Sequence, residues 1–168
     1  MYETNRLILR KAVFSDWVQM YHNVWCHWET ARYMLWAVTE SEAEAKERME
    51  RTIAFQQSHH AWLVVEKESG KAIGFAGLRE ESDVCEDTGI AVGPRYVGKG
   101  YGTEILNELV RIAKEGLNAH GFIATCRSEN EASRKMILGC GFRFSHTEPR
   151  VDKRNGEKYT LEFYRKEI

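Results

Sequence analysis

The chain of 168 residues has little of several features that mark large classes of proteins. Its 24 lysines and arginines nearly balance its 25 aspartates and glutamates, and no run of like charges forms the basic stripe that binds a phosphate backbone. Nucleic acid is therefore not an expected partner. No apolar run approaches the ~20 residues that span a bilayer, and the start, MYETNRLILR, lacks a signal-peptide core. These absences favour a cytoplasmic protein with no membrane partner.

Metal sites and disulfides are also poorly represented. The four cysteines lie far apart without a C-x-x-C pair, and the six histidines include no H-x-x-x-H pair. Reduced thiols and no bound metal are expected. The length and the even composition predict a single domain over residues 1–168.

Hydrophobic periodicity gives the order of the elements. TNRLILRKA alternates as a strand does, SDWVQMYHNVW and TARYMLW indicate two short helical pieces, and Ser41 with Glu44 has the capping-box spacing of a longer helix. Three β-patterned runs follow, AWLVVEK, AIGFAGLRE and VCEDTGIAVG, which predict an antiparallel meander. A helix after Gly102, with Gly121 as its C-cap, then precedes the buried strand FIATCR. Strand, helix and strand in that order predict a right-handed parallel crossover. A further helix, NEASRKMILGCGF, and a closing hairpin around RNG end the chain.

A glycine-rich loop, GPRYVGKGYGTEIL, joins the third meander strand to the crossover helix. Glycines at 98, 100 and 102 would let an anion approach the free N–H groups at the helix start, and Arg95 and Lys99 add positive charge. The spacing matches neither the P-loop nor the dinucleotide motif. A tight turn without a ligand is the alternative reading of such glycines.

The segment from Arg95 to Gly100 matches the R/Q-x-x-G-x-G/A signature of the GNAT superfamily of N-acetyltransferases, which this chain resembles. The runs TNRLILR, YMLW, IGFAGL and NEASRKMILGCGF follow in family order, so that the resemblance extends over essentially the whole chain. It is most similar to the branch of ribosomal-protein N-terminal (Rim-type) acetyltransferases. The resemblance implies a mixed α+β fold with a twisted sheet of about seven strands. An antiparallel meander would lead into a splayed parallel pair, with helices on both faces.

The resemblance also implies acetyl-CoA as cosubstrate, no metal, and a cofactor site on the splayed strand, the glycine loop and the last helix. The residues placed there are Ile90, Ala91, Val92, Arg95, Val97, Gly98, Lys99, Gly100, Tyr101, Gly102, Thr103, Asn130, Ser133 and Arg134. Backbone N–H groups around Ala91 and Val92 would stabilise the oxyanion. For Arg134, an exposed helix arginine without a ligand is an equal alternative.

Acetyl transfer to an amine needs a base, because an alkyl amine with a pKa near ~10.4 is mostly protonated at neutral pH. Asp87 is the candidate, since the resemblance places an acidic residue there, while the adjacent Glu86 should point to the other face of the strand. A solvated strand carboxylate is the alternative. Glu29 and Glu129 are further candidates.

The family tyrosine that serves as acid in many members corresponds here to Ile137, and the resembling branch uses a serine at the position of Ser133, with water. Ser133 is therefore the expected acid, and a plain surface or packing serine on a helix is the alternative. The same departure supports a second function, a non-catalytic acyl-CoA-binding sensor or partner module.

The resemblance places the acceptor site at Trp28, Glu29, Tyr33 and Trp36, where an aromatic wall could bind a cation. Tryptophans that only fill the core are the alternative. The acceptor could be a protein N terminus, a polyamine, an amino acid or an aminoglycoside. Direct transfer in a ternary complex is expected, by a monomer or a homodimer.

Overall fold

The computed structural model describes all 168 residues of the chain. The strands are β1 (Tyr2–Glu3), β2 (Leu7–Arg10), β3 (His60–Glu66), β4 (Ala72–Glu81), β5 (Val84–Val92), β6 (Gly121–Arg127), β7 (Arg143–Val151) and β8 (Lys158–Glu167). The helices are α1 (Trp17–Met20), α2 (Trp28–Ala31), α3 (Glu42–Ser58), α4 (Tyr101–Arg111) and α5 (Glu131–Gly139). None of these helices combines the length and the apolar character that crossing a bilayer requires.

The strands form one eight-stranded sheet in the order β1-β2-β3-β4-β5-β6-β8-β7. All neighbours are antiparallel except β5 and β6, which are parallel and connected by the α4 crossover. This confirms the predicted mixed sheet, meander, crossover and closing hairpin. The short β1 at the edge brings the count to eight, and β8 rather than β7 pairs with β6.

Helices cover both faces of the sheet because the central strands are apolar on both sides. In β3, Trp62 and Val64 face a core shared with α4, whereas Leu63 and Val65 face a second core shared with α1 and α3. Continuous apolar runs of this kind are typical of strands buried on both faces.

The long helix α3 begins where the capping-box spacing predicts. The Ser41 hydroxyl accepts the N–H of Glu44 at 3.2 Å. The Glu44 carboxylate accepts the N–H of Glu40 at 2.8 Å, one residue before the N-cap. The cap therefore fixes the loop that enters α3 as well as the helix end.

Two predictions of helix extent were wrong. The second early piece is helical only over α2, and the chain then turns through Trp36. The carbonyl groups of this segment bind a residue that is distant in sequence. The Arg154 guanidinium donates to the oxygens of Ala31 (3.0 Å) and Trp36 (2.8 Å). Gly121 is the first residue of β6 rather than a C-cap. The helix ends after a wider turn at Ile112–Gly116, and Asn118 takes the left-handed conformation (φ 53°).

Candidate active site

The parallel strands β5 and β6 diverge shortly after they meet. They pair only through Val84 with Gly121, Cys85 with Phe122, and Glu86 with Ile123. Beyond these pairs β5 continues to Val92 and β6 to Arg127 without a shared ladder. The sheet therefore opens into a cleft, as expected for the splayed pair.

Asp87 lies at the branch point of this cleft. One carboxylate oxygen accepts the N–H of Thr125 on β6 at 2.8 Å, and the other accepts the N–H of Gly89 at 3.1 Å. Next to it β5 carries a bulge, because Leu78 and Gly77 of β4 pair with Asp87 and Gly89 and leave Thr88 unpaired. The Asp87 side chain thus links β5 to β6 where the backbone pairing of the two strands ends.

The environment of Asp87 suits a base. Burial raises its pKa to about 7, and the neighbouring Glu86 acts in the same direction, against the two backbone hydrogen bonds. A carboxyl group with this pKa exchanges a proton near neutral pH. Glu86 points elsewhere and pairs with Arg79 at 2.8 Å, as strand alternation predicts.

The backbone of β5 beyond the bulge has two different edges. The N–H of Gly93 donates to Ile73 on β4 at 2.8 Å, and by strand alternation the peptide groups of Ala91 face β4 as well. Those of Ile90 and Val92 then face the cleft. Of the backbone groups predicted to meet the thioester, those of Ile90 and Val92 face the cleft, whereas those of Ala91 face β4.

The glycine loop presents a row of unused donors. No backbone N–H from Val97 to Thr103 donates to another group of the protein. Gly98 and Gly100 both have φ of 80°, a left-handed conformation that favours glycine. Arg95 and Lys99 are exposed and have no carboxylate partner. This arrangement fits the pyrophosphate of CoA at the start of α4.

Arg6, which the sequence did not single out, holds the loop in place. It donates to the carbonyl of Lys99 at 2.8 Å, pairs with Glu104 at 2.7 Å, and lies 4.6 Å from the Tyr101 ring. Because N–H and C=O of one peptide point in opposite directions, the bond to Lys99 fixes the direction of the Gly100 N–H. Its run, TNRLILR, was interpreted as a strand and as part of the family resemblance, and neither interpretation assigns a role to Arg6.

At Tyr101 only the backbone N–H is free to bind a ligand, because the hydroxyl is engaged within the protein. The hydroxyl donates to Glu66 at 2.5 Å, which raises the pKa of Tyr101 to about 12, and the residue is buried. The phenol thus anchors the start of α4 to β3.

The predicted acid and its neighbours lie at the start of α5, just after β6. Asn130 caps the helix by accepting the N–H of Ser133 at 3.2 Å. Ser133 is half-buried, and its hydroxyl makes no hydrogen bond within the protein. Arg134 is engaged by Glu162 through two bonds of 2.9 Å, which restrains its reach towards a phosphate. Ile137 is buried in the core, so no hydroxyl replaces the family tyrosine there.

A cavity of about 610 Å³ lies on the α3 side of the sheet. Of the predicted acceptor residues only Trp36 lines it. Trp28 and Glu29 lie outside, and the Tyr33 hydroxyl instead meets the carbonyl of Glu129 at 3.4 Å. The walls come from α3, from the loop before it and from β3 and β4, and the cavity also touches the β5 bulge, at Thr88 and Gly89.

The wall residues Arg48 and Phe75 were missed by the sequence analysis. Arg48 belongs to the charged run EAEAKERMERT, which is typical of a solvated helix face. Phe75 belongs to a continuous apolar strand, where no periodicity distinguishes a cavity wall from the core. Only the packing of α3 over β3 and β4 brings both to one cavity.

The family model described as acetyltransferase (GNAT) domain matches residues 6–143 of the chain. The chain belongs to the GNAT acetyltransferase family. It is therefore an acetyl-CoA-dependent N-acetyltransferase. A relative from Bacillus subtilis, the uncharacterized N-acetyltransferase YnaD, is 26% identical over 142 residues, which are 83% of this chain and 81% of that protein.

Solved GNAT structures share the fold at low identity. An acetyltransferase from Bacillus anthracis superposes with a TM-score of 0.84 at 19% identity, over 98% of this chain and 96% of that one. The spermidine N-acetyltransferase of Vibrio cholerae, solved with CoA and spermine, gives 0.77 at 19% identity, over 98% and 96%. RimL, a ribosomal L7/L12 α-N-protein acetyltransferase solved with CoA, gives 0.79 at 19% identity, over 98% and 96%. Rim-type enzymes are thus among the structural neighbours.

Proposed function

We propose that this chain moves the acetyl group of acetyl-CoA directly to a primary amine held in the 610 Å³ cavity, with both substrates bound at once. One observation carries the proposal: the cleft between the parallel strands and the cavity meet at the same part of β5. The cleft between β5 and β6 and the cavity under α3 both reach the bulge at Thr88 and Gly89, next to Asp87. All 168 residues act as one domain in this proposal.

The cofactor brings a thioester whose carbonyl carbon is open to attack by an amine. The free N–H groups from Val97 to Thr103 bind its pyrophosphate, and Arg95 and Lys99 add charge. Asn130 completes the site at the other side of the cleft, from the start of α5, and Arg134 adds positive charge from its position beside Glu162.

The proton path uses groups on both sides of the cleft. Asp87 accepts the amine proton, directly or through water, as the new C–N bond forms. The N–H groups of Ile90 and Val92 stabilise the developing oxyanion, since they face the cleft. When the C–S bond breaks, the thiolate takes a proton from Ser133, and the proton that the amine gave to Asp87 returns through water to Ser133.

The acceptor is a primary amine of a small molecule or of a protein N terminus. Two structural neighbours are named for such acceptors, spermidine in one and a ribosomal protein in the other. Trp36 lies on the aromatic side of the cavity. In this proposal it is the aromatic contact for the acceptor that the sequence predicts.

The test is a calorimetric titration with acetyl-CoA, CoA and ATP, followed by thiol release from acetyl-CoA over a panel of primary amines. We expect both CoA species to bind tightly, ATP to bind weakly, and at least one amine to stimulate thiol release. Asp87→Ala should bind the cofactor normally and release thiol slowly. Binding without turnover of any amine would overturn the proposed transfer, and failure of CoA to bind would overturn the cofactor site.

A further inference from the structure

We propose that the acceptor amine also carries an anionic group, a carboxylate or a phosphate, which is bound by Arg48 in the cavity. This inference rests on the proposed function and specifies its substrate class. It is carried by three observations, namely the position of Arg48, its lack of a carboxylate partner, and the aromatic surface that connects it to the β5 bulge.

Arg48 projects from α3 into the cavity wall. Its guanidinium lies 4.1 Å from the Trp36 ring and 4.6 Å from the Trp25 ring. Contacts with two indoles hold the plane of the guanidinium and shield it from bulk water. The guanidinium group is therefore held in one orientation before any ligand binds.

The hydrogen-bonding capacity of Arg48 is mostly unused. A guanidinium carries five N–H donors, and this one makes a single side-chain bond, from Nη1 to the Thr39 hydroxyl at 3.0 Å. Every other half-buried arginine of the chain pairs with a carboxylate; these are Arg10, Arg127, Arg134 and Arg154. Arg48 has none within ion-pair distance.

The charged residues around the cavity do not neutralise Arg48. Glu44 accepts the N–H of Glu40, and Glu47 lies 3.9 Å from Arg51, with both side chains of that pair largely exposed. Burial lowers the pKa of Arg48 to about 10, and the charge of Arg51 acts in the same direction. Arg48 still carries its charge at neutral pH, so an unpaired cation lines the cavity.

A continuous aromatic surface connects this cation to the reaction centre. The rings of Trp36 and Phe75 are 6.1 Å apart, and Phe75 Cε2 lies 3.7 Å from the position that a Cβ on Gly89 would take. Gly89 belongs to the bulge beside Asp87. The acceptor would thus lay an apolar or aromatic spacer across these rings, with its amine at Asp87 and its anion at Arg48.

The chemistry of Arg48 selects the class of acceptor. The planar fork of a guanidinium binds the paired oxygens of a carboxylate or phosphate, and such bonds strengthen where water is excluded. A polyamine would instead bring a second cation towards an unpaired arginine. The preferred acceptors are therefore amino acids or aminoalkyl phosphates rather than spermidine-like polycations.

The experiment compares matched acceptors that differ in the anion alone. The panel contains ω-amino carboxylates of increasing length, the corresponding amides, aminoalkyl phosphates, the corresponding amino alcohols, and spermidine. The kcat/KM of each is measured for the wild type, Arg48→Gln and Arg48→Lys. Arg51→Gln serves as the control, because this neighbouring arginine lines the same cavity from a more exposed position.

We expect the wild type to prefer an anionic acceptor over its neutral partner by at least about tenfold, the scale of one charged hydrogen-bonded contact. Arg48→Gln should remove this preference, so that the anionic acceptor and its neutral partner have similar kcat/KM. Arg48→Lys should retain part of it, and Arg51→Gln should retain it all. The carboxylate and phosphate members of the panel decide which anion is recognised.

Two results would overturn the inference. One is a wild type that uses amides or spermidine as well as the anionic acceptors. The other is an Arg48→Gln variant that loses both classes equally, as expected if the arginine only secures the loop at Thr39. If acetyl-CoA binds and no amine turns over, the proposed function fails. Calorimetry of the ω-amino carboxylates then tests Arg48 alone, and equal binding to wild type and Arg48→Gln would reject the subsite.

Discussion

At the scale of single residues, Asp87 joins two strands with the same carboxylate oxygens that would act as the proposed base. Its oxygens accept the N–H groups of Thr125 and Gly89, so the side chain joins β5 to β6 where their ladder ends. Burial between the two strands raises the pKa of the same carboxyl group to about 7. The position that holds the sheet together is therefore also the position suited to take a proton from an amine.

Replacing Asp87 by Asn tests the base. In the wild type, kcat/KM should rise with pH through about 7, because Asp87 must be ionised, in addition to the rise caused by the amine itself. Asp87→Asn should lack the inflection near pH 7 and lose about 10²- to 10⁴-fold in rate. The measurement is a pH series of thiol release. An unchanged profile would remove Asp87 from the mechanism.

At the scale of elements, the glycine loop shows how a turn can expose a row of free backbone N–H groups at the start of a helix. Gly98 and Gly100 supply the left-handed turns, α4 supplies the aligned N–H groups, and Arg6 on the strand side fixes their direction. The loop was predictable because its pattern is contiguous in sequence. Arg6 was not, since its contact with Lys99 joins residues that are 93 positions apart.

A bulky residue in the loop should block the cofactor without unfolding the protein. Gly100→Trp faces only the end of the Arg6 side chain, 3.5 Å from its Cβ position, and its backbone strain costs about 1–2 kcal/mol. Calorimetry should show no acetyl-CoA binding, with an intact circular dichroism spectrum. Gly70→Trp is the matched control, because Gly70 has φ of 67° and no neighbour within 4 Å. Normal binding to Gly100→Trp would reject the loop assignment.

Removing Arg6 should weaken the cofactor site without destroying it. Arg6→Ala frees the Lys99 carbonyl and so loosens the orientation of the Gly100 N–H. Because Arg6 is partly exposed, we expect acetyl-CoA affinity to fall by about three- to tenfold, the worth of roughly one hydrogen bond. Arg111→Ala, which removes ion pairs with Glu108 and Glu115 further along α4, should bind normally. Equal affinities of Arg6→Ala and wild type would contradict the role.

The cavity beneath α3 marks the limit of what the sequence alone predicts. Trp36 was predicted from its run, whereas Trp28 and Glu29, close in sequence, lie outside the cavity. Short apolar-rich runs such as these do not specify which way the chain turns, and here Arg154 of the closing hairpin decides it. Long-range contacts of this kind leave no local pattern.

At the scale of the whole molecule, the last hairpin is joined to the first helices through a buried charge cluster. Asp152 is only 2% exposed and pairs with Arg127 of β6 and with Arg154, each at 2.8 Å. Arg154 in turn holds the carbonyls of Ala31 and Trp36. The closing hairpin and the early helical region thus shape one wall of the cavity beneath α3 together. The overall order of the elements, in contrast, follows from local periodicity and was predictable.

Asp152→Asn should destabilise the protein at neutral pH and remove part of its acid sensitivity. The guanidinium groups of Arg154 and Arg127 hold the pKa of Asp152 well below its usual range. A depressed pKa gives stability that is present above the unfolded pKa near 3.8 and is lost as pH falls. Thermal melts of wild type and variant from pH 7 to about pH 2 should therefore differ by a constant amount above about pH 5 and approach each other only below about pH 4. Parallel curves would contradict the linkage.

The bond from the Thr125 N–H to Asp87 has a spectroscopic consequence. An amide proton donated to a carboxylate changes its chemical shift when that carboxylate takes up a proton, so Thr125 is a built-in indicator of the state of Asp87. Its nitrogen and proton resonances should titrate near pH 7 in the absence of turnover. Movement of the same signal on addition of an amine would report, from a residue on the opposite strand, that the acceptor has reached the base.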